Sequence, residues 1–329
     1  MNELAIVGAG SWGTALAIVL APRFDRIRLW AYEQDLAGRM RASRENDLFL
    51  PGLTLPGNIE VATDFATALT GVEWVLSVMP SSRVRGVYRQ MLPHLHPGVS
   101  LVSATKGLEN GTLMRMSQVI EEVVGHERVA VLSGPTFARE VARGDPTALV
   151  IASRDPILAR KVQTAFSGPT FRLYTNPDPI GVEIGAAVKN VVAIGAGVCD
   201  GLGLGSNPRA ALITRGLAEI TRLTVALGGE ARTLAGLAGL GDLVLTCTGA
   251  LSRNRTVGLE LAKGRKIEEI VGSMRMVAEG IETTRATVEL AQRVGVQMPI
   301  AEQMHAMLHL GRKPEEAIRQ LMERSLKSE

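Results

Sequence analysis

Over its first half the chain repeats one pattern. A run of about four apolar or β-branched residues is followed by a stretch in which apolar positions recur every three or four residues. Leu4–Val7, Ile27–Trp30, Trp74–Val78, Leu101–Ala104, Val129–Leu132, Ala148–Ile151 and Phe171–Tyr174 carry the short runs. Most are bounded by Gly, Pro, Ser or Asn, and they read as strands. Trp12–Leu20 and Leu113–Val124 have the spacing of helices. Such alternation predicts a largely parallel sheet with helices on both faces.

From about Pro179 the rhythm lengthens. Ile180–Cys199, Pro208–Leu227, Arg253–Lys263, Ile281–Val294, Pro299–Leu310 and Pro314–Arg324 all show helical patterns. Several have Pro near the start, where its missing N–H is not needed. Leu243–Thr246 alone looks strand-like and is expected to be a short extended piece. The pattern therefore predicts an α/β domain over 1–178 with a mostly parallel sheet, and an all-α domain over 179–329. Gly181–Cys199 is apolar enough to suggest a membrane span, but Glu183, Lys189 and Asn190 interrupt it. A Lys at the membrane centre costs about 2.5–3.5 kcal/mol, so the segment reads as a buried helix.

Composition narrows the picture. Hydrophobic residues are 46% and aromatics 4% of the 329 residues, with 35 Gly, so the core must be built from aliphatic side chains. The net charge of +3 comes without a basic stripe, and no nucleic-acid partner is expected. Cys199 and Cys247 give neither a disulfide framework nor metal-ligand spacing, and read as reduced buried thiols. No signal segment precedes the first strand, so a cytoplasmic location is expected.

Candidate chemistry lies at the junctions of these elements. Gly8-Ala9-Gly10-Ser11-Trp12-Gly13 follows the first strand and opens a helix. That is the context a dinucleotide fingerprint requires: Gly8 for a tight turn, Gly10 for close approach of the pyrophosphate, Gly13 for helix–strand packing. The helix start then presents N–H groups and the positive end of its dipole to the phosphates. The first domain is thus expected to be Rossmann-type. Thr105-Lys106-Gly107 and Ser133-Gly134-Pro135-Thr136-Phe137-Ala138 follow later strands, at the edge where open α/β sheets hold ligands. Pro135 suits the first turn of a helix starting there. Taken alone, Lys106 could equally be a solvated loop charge and the second motif a plain helix start.

In the second half, Lys189 and Asn190 sit within the apolar run Ile184–Val192. A lysine there must snorkel, find a carboxylate or line a wet cleft. Asp242, in Gly239-Leu240-Gly241-Asp242, either caps a turn or supplies the counter-charge for a buried ammonium. Ser252 is a good N-cap, and Arg253 and Asn254 beside it make either an anion site or a solvated helix start.

Together these motifs resemble the NAD(P)-dependent glycerol-3-phosphate dehydrogenase family, of the bacterial type, over nearly the whole chain. The segments that carry the resemblance are Gly8–Gly13, Ala104–Glu109, Ser133–Ala138, Val188–Gly197, Gly239–Leu243 and Ser252–Arg255. The resemblance implies Lys189 as catalytic acid and base. It implies Lys106, Gly134, Thr136, Asn190, Asp242, Thr246, Ser252, Arg253 and Asn254 as the substrate shell. It also implies Ser11, Trp12, Tyr32, Lys106, Ala138, Arg253, Val277 and Glu279 as contacts of NAD or NADP. A homodimer acting on a small phosphorylated substrate and supplying phospholipid synthesis goes with it. Many bacterial relatives carry His or Arg shortly after the second strand. Here the residues are Trp30-Ala31-Tyr32-Glu33, which puts NADP preference in doubt.

The chemistry is coherent with that family. Hydride delivery to a ketone creates an alkoxide, for which a protonated lysine is a competent acid. Two other readings share the fold elements: a β-hydroxyacid or ketopantoate-type reductase, and a non-catalytic NAD-sensing protein. The first has no use for Ser252-Arg253-Asn254, and the second has none for Lys189 with Asp242.

Overall fold

The computed structural model describes residues 2–126, 128–274 and 276–325. The chain divides into two compact units. One contains the residues up to Lys106 together with Met114–Glu183, and the other contains Gly107–Leu113 together with the chain from Ile184 on.

In the first unit eight strands form one sheet: β1 (Glu3–Val7), β2 (Arg26–Trp30), β3 (Ile59–Ala62), β4 (Trp74–Ser77), β5 (Ser100–Ser103), β6 (Val129–Ser133), β7 (Thr147–Ala152) and β8 (Phe171–Asn176). Their order is β3-β2-β1-β4-β5-β6-β7-β8. Neighbours run parallel except β6 and β7, where Leu132 pairs with Ile151 in antiparallel register. The helices are α1 (Ser11–Leu20), α2 (Gln34–Ser43), α3 (Phe65–Leu69), α4 (Val84–Met91), α5 (Met116–Val124), α6 (Ala138–Ala142) and α7 (Pro156–Phe166).

Alternation along β1 shows why both faces are covered. Leu4 and Ile6 enter a core with Leu16, Leu20, Met40 and Phe166 from α1, α2 and α7. Ala5 and Val7 enter the opposite one, with Leu69, Tyr88 and Ile120 from α3, α4 and α5. A strand buried on both faces reads as a continuous apolar run, which is what made these strands visible in sequence. The helices change face where β1 lies between β2 and β4, the switch point at which such sheets bind ligands.

The second unit is helical: α8 (Pro179–Gly201), which begins in the first unit, α9 (Ser206–Ala226), α10 (Ala231–Leu234), α11 (Asp242–Thr248), α12 (Arg253–Ala262), α13 (Ile267–Ser273), α14 (Gly280–Arg293), α15 (Pro299–His309) and α16 (Pro314–Met322). The mostly parallel α/β unit followed by an all-helical one is the expected fold class. α8 is long and apolar enough to cross a membrane by length and composition, but its most apolar window is wholly buried in protein. Its charges have partners: the Glu183 carboxylate accepts from the Arg115 guanidinium and, at 2.8 and 2.7 Å, from the Ser117 N–H and hydroxyl.

Three local expectations change, and one strand lies outside them. The stretch Leu243–Thr246 is helical, not extended, and lies within α11. The buried positions Asp242, Leu243, Thr246 and Cys247 recur at helical spacing, a period that four residues are too few to display. The helix expected from Leu113 starts at Met116, because Leu113 adopts φ 63°. The motif Ser133–Ala138 does not start a helix at Pro135. Gly134 takes φ +153°, the chain bends, and α6 begins only at Ala138. Finally, β3 went unrecognised, because an edge strand needs one apolar face only and Glu60 points to solvent.

Candidate active site

The glycine-rich turn between β1 and α1 is shaped by backbone contacts. Gly8 has φ +119°, and a Cβ there would lie 2.0 Å from the Val78 carbonyl oxygen. A Cβ on Gly13 would lie 1.8 Å from the Gly8 oxygen, whereas one on Gly10 meets nothing within 4 Å. Gly8 and Gly13 are therefore required by the protein's own packing, and Gly10 faces open space. The first turn of α1 has no side-chain cap and no acidic residue of its own, so its N–H groups and the positive end of its dipole face that space. These features fit a dinucleotide pyrophosphate. Ser11 and Trp12 are half-buried in that turn.

Past β2 the backbone delivers Tyr32, 78% exposed, with its ring tilted against Trp30. Trp30 in turn stacks on Phe65 at 4.6 Å. Glu33 is exposed at the N-cap of α2. The nearby cations have partners: Arg39 makes a two-point contact with Asp47 at 2.9 and 3.2 Å, and Arg41 donates to the Val61 carbonyl at 3.0 Å.

Further along the same sheet edge, Lys106 follows β5 and donates to the Gly134 carbonyl after β6 at 3.2 Å. The Thr136 hydroxyl donates to the same oxygen at 3.2 Å. Thr105 accepts from the Met79 N–H after β4 at 3.2 Å. Adjacent parallel strands thus bring the β4, β5 and β6 loops together, with Ala138 at the head of α6 beside them. The order β1-β4-β5-β6 produces this grouping, since each strand end abuts the next.

In the second unit the candidate residues converge on α8. Lys189 Nζ lies 2.8 Å from Asp242 Oδ1 and 2.7 Å from Thr246 Oγ1. The three residues are 5%, 1% and 6% exposed. Thr246 donates to the Asp242 carbonyl at 2.6 Å, one turn back on α11, which fixes its oxygen for the lysine. A buried ammonium is tolerated only when paired and hydrogen-bonded, and here both conditions hold. One residue on, Asn190 Oδ1 accepts from Asn254 Nδ2 at 2.9 Å, and Asn254 Oδ1 accepts from the Gly280 N–H at 2.9 Å. Ser252 caps α12, accepting from the Arg255 N–H at 3.3 Å. The exposed Arg253 donates to the Val277 carbonyl at 2.9 Å, and Glu279 lies two residues further on, just ahead of α14.

Glycines make this convergence possible. A Cβ on Gly197 of α8 would lie 1.9 Å from the Arg255 oxygen, and one on Gly258 of α12 would lie 1.8 Å from the Ile194 oxygen. The two helices cross backbone to backbone, which brings the start of α12 level with Lys189 and Asn190. Asp200 ties the crossing, accepting from Arg209 at 2.9 Å and Arg255 at 2.6 Å. The thiols take no part: burial raises the pKa of Cys199, and pushes Cys247 up to about 12, so both stay protonated at neutral pH. A separate apolar groove of about 500 Å³, between α8, α9, α15 and α16, includes none of the candidate residues.

The geometry can be set against known proteins. Residues 3–159 match the sequence model of the NAD-dependent glycerol-3-phosphate dehydrogenase N-terminus, and residues 178–319 that of its C-terminus. The chain belongs to this family. A relative from Koribacter versatilis, named glycerol-3-phosphate dehydrogenase [NAD(P)+], is 60% identical over 98% of both chains. The crystal structure of a glycerol-3-phosphate dehydrogenase from Coxiella burnetii superposes with a TM-score of 0.95, at 42% identity, covering 98% of this chain and 99% of its own. A PanE/ApbA-family ketopantoate reductase from Ralstonia eutropha covers 96% of this chain and 99% of its own, with a TM-score of 0.61 and 15% identity. That likeness is one of fold alone.

Within the family frame, the sequence reading and the resemblance point to Lys189, Asp242, Thr246, Asn190 and Asn254, and the structure groups them. Two neighbours of the candidate residues escaped that reading. Gly280, which completes the Asn254 hydrogen bonds, had only a helix start to mark it. Asn46 lies in the polar run Arg44-Glu45-Asn46-Asp47, which carries no motif, yet it is wholly buried beneath the Gly8–Gly13 turn.

Proposed function

We propose that this chain interconverts dihydroxyacetone phosphate and sn-glycerol 3-phosphate with NAD(H) or NADP(H), Lys189 acting as general acid in reduction and general base in oxidation. The single observation that carries this reading is the buried Lys189–Asp242–Thr246 constellation in a chain of this family. A nicotinamide dinucleotide held at the glycine-rich turn would supply the hydride. As negative charge develops on the substrate oxygen, the Lys189 ammonium donates a proton to it. Asp242 favours the charged form of the lysine and, with Thr246, fixes the direction of its N–H groups. Asn190 and Asn254 hold one another and present the remaining amide groups for hydroxyls.

The substrate phosphate is assigned to the start of α12, where Ser252, Arg253 and Asn254 combine charge with the positive end of a helix dipole. Lys106, Gly134 and Thr136 complete the substrate shell. Gly8, Gly10, Ser11, Trp12, Gly13, Tyr32, Lys106, Ala138, Arg253, Val277 and Glu279 are the residues that would hold the dinucleotide. Binding the phosphate, which does not react, positions the carbonyl and lowers the barrier at the reacting centre. In the cell we infer a cytoplasmic homodimer that supplies glycerophospholipid synthesis.

One assay tests the reading: oxidation of NADH and NADPH is followed with dihydroxyacetone phosphate and then with 2-ketopantoate. Turnover of the first and not the second is expected. Turnover of ketopantoate alone would move the chain to the other reductase class. Cofactor binding with neither substrate turned over would favour a sensing role.

A further inference from the structure

Asn46 belongs to no motif and to no catalytic contact described so far, yet it is 0% exposed and every polar atom of its side chain is used. Its Nδ2 donates to the Ala9 carbonyl at 2.8 Å and to the Thr14 hydroxyl at 2.8 Å. Its Oδ1 accepts from the Phe49 N–H at 2.9 Å, and its own carbonyl accepts from the Leu50 N–H at 3.0 Å. The amide is thus seated in a closed turn over 46–50, where Leu48 and Phe49 pack against the sheet core.

The consequence follows from peptide geometry. Ala9 and Gly10 share one planar trans peptide, in which the C=O and N–H point in opposite directions. With the Ala9 oxygen fixed inward by Asn46, the Gly10 N–H is turned away from the buried amide, at a residue where even an added Cβ would meet nothing within 4 Å. The Thr14 hydroxyl reinforces this from α1: it accepts from Asn46 and itself approaches the Ala9 oxygen at 3.4 Å. We infer that Asn46 is a positioning residue that locks the Ala9–Gly10 peptide plane so that its N–H is pre-aimed at the dinucleotide pyrophosphate. A peptide free to rotate would spend binding free energy on ordering, whereas a fixed one does not. The inference rests on the proposal that a dinucleotide binds at this turn, and it adds a residue distant in sequence on which the affinity depends.

The test uses the full-length protein and measures binding directly. Dissociation constants of NADH, ADP-ribose and adenosine are compared for the unaltered chain, Asn46→Ala and Asn46→Asp, each at a temperature well below its own melting point. Both variants are expected to bind NADH and ADP-ribose about tenfold or more weakly, while adenosine, which has no phosphate, changes less than about twofold. KM for dihydroxyacetone phosphate at saturating NADH stays within about twofold. Thr14→Val removes one of the three hydrogen bonds of the amide and is expected to give a smaller loss of the same kind, with Thr14→Ser restoring affinity. That pair also decides the matter if neither Asn46 variant folds. NADH affinity within twofold of the unaltered chain in the variants overturns the inference, as does an equal loss for adenosine, which marks a merely structural role. Failure of the unaltered chain to bind NADH at all would instead remove the dinucleotide reading on which the inference stands.

Discussion

The two units of this molecule build their candidate sites from different materials. In the first, the turn after β1 offers mainly backbone: Gly8 and Gly13 are there because a side chain would strike the chain itself, and the ligand-facing groups are N–H donors at a helix start. In the second, the site is made of side chains, an ammonium, a carboxylate, a hydroxyl and two amides buried among the apolar residues of α8, α11 and α12. A backbone site buries no charge and depends on shape. A side-chain site must desolvate its ions and depends on their pairing, so loss of one partner leaves the other uncompensated. The first kind fails through geometry and the second through electrostatics.

The largest effect separates the two units by activity. Lys189→Met keeps volume and removes the ammonium, and is expected to lower kcat by roughly 10²–10⁴ while the NADH dissociation constant stays within about threefold. Stability should also fall by about 3–5 kcal/mol, because the buried Asp242 carboxylate loses the ammonium that offsets its charge. Stopped-flow kinetics, a fluorescence titration and a thermal melt read the three quantities. A kcat within tenfold of the original would make Lys189 a structural lysine.

A second experiment acts on the backbone site. In Gly13→Ala the new Cβ must displace the Gly8 backbone, and overpacking of this kind costs about 1–3 kcal/mol. A melting point lower by several degrees and a loss of NADH affinity are expected together. Gly10→Ala meets open space, so its melting point should barely move, yet the methyl occupies the ligand's side and affinity should drop about tenfold or more. If Gly10→Ala is as destabilised as Gly13→Ala, or binds NADH normally, the division of roles within the turn is wrong.

The same contrast explains what sequence reasoning reached. Glycine spacing announces a backbone site because few other circumstances demand glycine at those intervals, and a lysine within an apolar helix announces a buried pair because an unpaired one is untenable. Asp242 was visible as a candidate partner, but its distance from Lys189 depends on how the segment ahead of α11 packs on α8, where a Cβ on Gly185 would lie 3.0 Å from the Ala238 oxygen, and no local pattern encodes that. Leu243–Thr246 went wrong because four residues do not display a helical period, and β3 because an edge strand needs little apolar surface. Asn46 was invisible for another reason: two of its three partners, the Ala9 carbonyl and the Phe49 N–H, are backbone groups, which every residue carries alike.

Arg253 tests the side-chain site at its exposed end. Arg253→Ala removes one charge-assisted partner of a phosphate, and should weaken apparent binding by about 1.5–3 kcal/mol. The effect should be a KM for dihydroxyacetone phosphate raised some ten- to hundredfold and a smaller preference over dihydroxyacetone. Because Arg253 also reaches Val277, a modest rise in KM for the cofactor is expected alongside. An unchanged phosphate preference would assign the phosphate to Lys106 instead.

The smallest effect lies at the adenosine ribose, which a backbone turn alone does not discriminate. An acidic residue near the end of the second strand favours the 2′-hydroxyl of NAD, and a cation favours the 2′-phosphate of NADP. Beyond β2 this chain offers buried Ala31, the exposed ring of Tyr32 and the exposed carboxylate of Glu33. The nearest cations on α2 are engaged, Arg39 by Asp47 and Arg41 by the Val61 carbonyl. Freeing Arg39 for a phosphate would break its two-point contact, and Glu33 would oppose the added negative charge. The chain is therefore expected to use both cofactors, with kcat/KM for NADH at least comparable to that for NADPH, measured on one preparation. Glu33→Arg should shift the ratio toward NADPH by about tenfold, the order expected when a like charge is replaced by an opposite one near the surface. A hundredfold preference for NADPH in the unaltered chain, about 2.7 kcal/mol, would require a cation that reaches the 2′-phosphate from outside the β2–α2 loop.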